Sequence, residues 1–159
     1  MKAATIREIK QELSNRSQGE LLELCLHLTK FKKENKELLT YLLYDASDEP
    51  GYIENVEREI DVQFEEINKA SYYFIKKSVR KILRSVKKYI RYSKVKETEV
   101  ELLLYFCSEL KKMRPPIERS ATLHNIYKRQ IEVIKKAVSS LHEDLQFDYE
   151  MELTEIRKS

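Results

Sequence analysis

Apolar residues recur at helical spacing in one segment of this chain after another, and the breaks between them divide it into elements. Ile6, Ile9 and Leu13 mark a short first helix ending near Asn15. Ser17-Gln18-Gly19-Glu20 has the form of a capping box, so a second helix opens there, with Leu21, Leu24, Cys25, Leu28 and Phe31 on one face. A polar junction, Lys30 to Lys36, precedes a third helix from Glu37 to Tyr44 that carries Leu38, Leu39, Leu42 and Leu43. Asp45-Ala46-Ser47-Asp48-Glu49-Pro50-Gly51 is a strong break. A fourth helix then runs to about Asn68 with Ile53, Val56, Ile60, Phe64 and Ile67 as its stripe, and a fifth spans roughly Ser71 to Ser93. Thr98-Glu99-Val100-Glu101 has the form of a second capping box and starts a sixth helix with Val100, Leu103, Leu104, Cys107 and Leu110 inward. Arg114-Pro115-Pro116 ends it, because neither proline donates a hydrogen bond and each clashes with the turn before it. A seventh helix begins near Ala121 and carries Leu123, Ile126, Ile134, Val138 and Leu141. The acidic segment 143–159, with Leu145, Leu153 and Ile156, is an eighth helix or a continuation of the seventh.

Composition supports the same picture. Two glycines and three prolines are too few for a sheet protein, whose tight turns require them at nearly every corner. A length of 159 residues suits one domain over 1–159, with breaks near 45–51 and 114–120. The fold class is all-α, with six to eight helices. Short junctions make successive helices antiparallel neighbours, in an irregular bundle or a short stack of helical hairpins. No fixed period supports a regular solenoid.

Charge adds one distinctive feature. The net charge is only +3, yet Lys76 to Lys96 holds ten Lys or Arg and no acid. With Ile75 at zero and about 100° per residue, Val79, Ile82, Leu83, Val86, Tyr89 and Ile90 fall within an arc of about 120°. Lys76, Lys77, Arg80, Lys81, Arg84, Lys87, Lys88, Arg91 and Lys94 fall on the far side, and Ser78 and Ser85 line a boundary. The fifth helix therefore packs an apolar stripe inward and presents a basic face. From Asp45 to Glu66 there are nine acids and one base, so the fourth helix is a specific neighbour to pair with the flanks of that face. The acidic terminal segment is a second element to cover it. Tyr72, Tyr73 and Tyr92, near the ends of the basic run, are placed to stack on bases if the partner is a nucleic acid.

Few residues suggest chemistry. Glu23 and His27 lie one turn apart, the spacing of an ordinary surface pair, and no second Glu/His pair completes a di-iron site. His142-Glu143 lacks the second histidine of a zinc helix, and His124 and His142 are too distant along a helix to meet. Cys25 and Cys107 sit among apolar neighbours, far apart in sequence, and read as buried free thiols in a reducing cytosol. The glycines are isolated, so no glycine-rich phosphate cradle is present. The N-terminal MKAATIREIKQEL has no apolar secretory segment, and the longest apolar run, Leu102 to Cys107, is too short to span a bilayer.

The stretch Glu20-Leu21-Leu22-Glu23-Leu24-Cys25-Leu26-His27-Leu28, followed by Lys33-Glu34-Asn35-Lys36-Glu37-Leu38-Leu39-Thr40-Tyr41-Leu42-Leu43, resembles a bacterial family of short helical proteins known only as a domain of unknown function. The likeness is concentrated in residues 17–44 and implies an all-α bacterial cytoplasmic protein. It carries over no catalytic residue.

The expectation is a cytoplasmic, non-enzymatic α-helical interaction module with no cofactor or metal, binding a protein partner or itself and no membrane. A nucleic-acid-associated protein using the basic helix 71–94 is the competing reading. An enzyme of unnamed reaction is the third.

Overall fold

The computed structural model describes residues 1–158. Among them are eight α-helices, one π turn, one 3-10 turn and no strand, so the fold class is all-α. The chain divides into two compact units, Met1–Tyr44 and Asp45–Ser159, at the break that the cluster beginning at Asp45 marks in the sequence.

The N-terminal unit holds α1 (Ile6–Ser14), α2 (Gln18–Phe31) and α3 (Lys33–Thr40), followed by the π turn Tyr41–Asp45. Both early helices start on capping boxes. Thr5 Oγ1 accepts from the Glu8 N–H, while Glu8 Oε2 accepts from the Thr5 N–H at 2.7 Å. Ser17 and Glu20 repeat the arrangement at the start of α2, as their spacing predicts. These backbone hydrogen bonds hold the Glu8 and Glu20 carboxyls below the usual carboxylate range. The predicted polar junction Lys30 to Lys36 shrinks to one extended residue, Lys32, and α3 begins at once. Asn35 explains how so short a joint is tolerated. Its Nδ2 donates to the Leu28 carbonyl at 2.8 Å and satisfies an acceptor that the end of α2 would otherwise leave open.

The C-terminal unit holds α4 (Glu49–Glu65), α5 (Tyr72–Ser93), α6 (Lys96–Lys112), a 3-10 turn at Ile117–Arg119, α7 (Ala121–Val138) and α8 (Glu143–Lys158). The acidic segment is thus a separate helix, not an extension of the seventh. Helix α6 is central: α4, α5, α7 and α8 all pack against it. Its burial follows, since Leu102, Leu103 and Leu104 are all buried, together with Phe106, Cys107 and Leu110. A helix enclosed this way needs apolar residues around its circumference, not along one stripe. Leu102 and Phe106 therefore join the inward set that the stripe alone names.

Two helix starts differ from the sequence pattern. Pro50 and Gly51 lie inside the first turn of α4, with Asp48 as N-cap accepting from the Gly51 N–H. Proline suits that position, where its missing N–H is not required. Thr98 is not a cap: α6 starts two residues earlier, after Val95, and Thr98 is buried within it. Its hydroxyl donates to Glu49 Oε1 at 2.6 Å, and the Ser93 hydroxyl donates to the same oxygen. Glu49 thereby ties the end of α5 and the start of α6 to the first turn of α4.

Candidate interaction surfaces

Helix α5 divides as its angular pattern predicts. Ile75, Val79, Ile82 and Val86 are buried, and Leu83, Ser78, Ser85 and Ile90 are half-buried at the margins. Lys77, Arg80, Lys81, Arg84, Lys87, Arg91 and Lys94 are exposed, with Lys76 and Lys88 half-buried. All nine predicted cations therefore lie on one helical face. Lys88 is drawn toward aromatic neighbours, its ammonium 4.6 Å from the centre of the Tyr89 ring. Among the described residues the other eight form no ion pair with a carboxylate.

Part of the acidic cover anticipated for this face, Glu57 of the fourth helix and Asp148, Glu152 and Glu155 of the terminal segment, lies elsewhere. Glu57 of α4, Glu101 of α6 and Asp148, Glu152 and Glu155 of α8 line a cleft of about 580 Å³ over α6, floored by Leu104 and Tyr105. Partial burial, and then the neighbouring carboxylates with Glu101 foremost, raise Glu57 and Glu152 above the usual carboxylate range. Asp61 accepts from the Tyr105 hydroxyl at 2.7 Å and Glu101 from the Tyr149 hydroxyl at 2.9 Å. Burial, and then these acidic acceptors, push both phenols well above their ordinary pKa. Among the described residues the acids of this cleft form no ion pair with the exposed cations of α5, while acid–base pairs elsewhere in the unit, such as Lys111–Glu118 at 3.0 Å, are local. Sequence spacing could not show this, because the acids of the cleft come from three helices separated by more than forty residues.

Of the three tyrosines expected to be free for base stacking, Tyr73 alone is exposed, at 66%. Its ring meets Phe74 edge to face, with centroids 5.3 Å apart. Tyr92 is buried, and Tyr72 is half-buried with its hydroxyl donating to the Pro116 carbonyl at 2.8 Å. Tyr52 forms a similar link, donating to the Tyr89 carbonyl at 2.9 Å. Tyrosine hydroxyls therefore bridge helices more than they meet water.

The remaining candidates are dispersed. Glu23 and His27 are both exposed on α2, and His142 lies beyond the end of α7 that carries His124. Cys107 is buried as expected, and the apolar surroundings push its thiol up to about 12, far from the thiolate form. Cys25 departs from expectation: it is exposed, because α2 buries none of its residues. No helix among the described residues is long and apolar enough to cross a membrane.

The N-terminal unit has the reverse of a core. None of the residues of α1, α2 or α3 is buried. Leu28 is 57% exposed and Phe31 78%, and Leu22, Leu24 and Leu26 are exposed with them. Ile9, Leu13 and Leu24 line a cleft of about 590 Å³ between α1 and α2, rimmed by Glu8, Glu12, Glu20 and Glu23.

Comparison of the chain with protein-family models, curated proteins and solved structures finds no match.

Proposed function

We propose that this protein is a non-enzymatic α-helical interaction module whose N-terminal unit docks on a protein partner or on a second copy of the chain. The exposed apolar surface of α1–α3 carries this reading. Burying apolar area releases roughly 25 cal/mol per Å², so a large leucine-rich surface left in water is a strong driving force for association. A unit of 44 residues has little capacity to enclose such side chains by itself. The resemblance of residues 17–44 to a bacterial helical family suggests a cytoplasmic setting.

The test uses the full chain and the variant Leu22→Glu/Leu26→Glu, which places two charges one turn apart on α2. Sedimentation between about 1 and 100 µM, with cross-linking through the lysines of α1–α3, reads out self-association and bound partners together. The expected result is an assembly whose cross-links fall in α1–α3 and which the variant loses. A wild-type chain that stays monomeric, with the same cross-linked partners as the variant, sinks the reading.

A further inference from the structure

We propose that the basic face of α5 is a binding site for single-stranded nucleic acid, which it holds by the phosphate backbone. Three observations point there. First, eight cations on this helix have no carboxylate partner among the described residues, although α4 and α8 are rich in acid. Glu57 of α4 and Asp148, Glu152 and Glu155 of α8 line the cleft beside α6 instead, and no carboxylate among the described residues is ion-paired with these eight cations. Second, the face is rigid. Ile75 and Val79 beneath it are fully buried and Ile82 nearly so, and α4, α6 and α7 pack around the helix. Lys76 to Lys94 spans about 27 Å at 1.5 Å per residue, and cations four residues apart rise about 6 Å. That is the scale on which an extended strand presents successive phosphates. Third, the exposed Tyr73–Phe74 pair stands at the start of the same helix, where a strand leaving the cations would present a base for stacking.

The alternatives fit less well. A membrane-surface helix inserts an apolar face, and the apolar face of α5 is already committed to the core. A duplex groove admits a protruding helix, whereas α5 is flanked by its neighbours and offers only its outer half. A single strand can lie along such a surface without either requirement.

The experiment is fluorescence anisotropy with a labelled single strand of about 20 nucleotides, a duplex of the same sequence, and anionic phosphatidylserine vesicles as competitor. The variants are Arg84→Glu/Lys87→Glu/Arg91→Glu and Tyr73→Ala, each checked for native helicity by circular dichroism. Neutralising about six phosphates predicts a log–log salt slope near −4 for the single strand. The triple variant should weaken binding about 100-fold or more, and Tyr73→Ala about tenfold, for the single strand only. Absence of binding at low salt, undiminished binding by the folded triple variant, or a preference for duplex or vesicles over the single strand overturns the proposal. These variants leave α1–α3 intact, so the result is independent of N-terminal docking.

Discussion

Lys94 shows how a single residue accommodates a sharp change of direction. It closes α5 with φ of 60°, the one non-glycine positive φ among the described residues, while its N–H donates to the Ile90 carbonyl. A left-handed residue with a Cβ is strained by roughly 1–2 kcal/mol, and this C-terminal position usually carries glycine. Lys94→Gly should therefore raise stability by about 1 kcal/mol net of its extra unfolded-state freedom, visible as a higher urea midpoint with an unchanged slope. The nearby Thr98 shows the limit of local inference. Its spacing from Glu101 matches a cap, but the oxygen it serves belongs to Glu49, forty-nine positions earlier in the chain.

Among the elements, α4, α6 and α8 meet along an acidic seam, and the sign of its effect follows from the raised carboxyls. Glu57 titrates above its usual 4.5 because partial burial and the negative field of Glu101 disfavour its ionised form. A carboxyl raised in the fold supports the fold fully below its unfolded pKa and loses that contribution as pH rises through the folded value. At neutral pH the ionised Glu57 thus opposes folding. Glu57→Gln should stabilise the protein at pH 7 by about 0.5 kcal/mol, a size set by solvent screening. The gain should vanish well below pH 4.5, where the wild-type side chain is also neutral. Paired urea titrations at the two pH values measure this difference. A gain that persists in acid would show that packing, not charge, is responsible. Helix α5 is the element most legible in the sequence, because its stripe and its basic arc follow from angular position alone. Helix α2 is the least legible: its apolar residues have helical spacing, yet Cys25 and Leu28 remain exposed.

At the scale of the whole C-terminal unit, stability is concentrated around α6. Phe106 is fully buried and its ring lies 5.8 Å from that of Phe64, which joins α4 to the centre. Phe106→Ala should cost about 3–5 kcal/mol, through lost burial and an incompletely closed cavity. Chemical denaturation followed by circular dichroism gives the value directly, and a loss below about 1 kcal/mol contradicts a central role for α6. The same centrality separates the two charged surfaces, with the basic face outward on α5 and the acids gathered in the cleft beside α6 and α8.

By itself the sequence determined the helical class, most of the helices, the capping box of Ser17 and Glu20, and the two-sided character of α5. Each depends on composition or on contacts within a few turns of the same helix. The tertiary structure decided which helix became central, where Glu57 and the acids of α8 that join it were directed, and which tyrosines stayed in water. Those outcomes depend on residues tens of positions apart meeting in space. Glu57, Glu101 and Glu152 share a cleft although no local spacing relates them. Arg84 and Arg91 stay exposed and without a carboxylate partner among the described residues, an outcome that depends on where such distant acids pack.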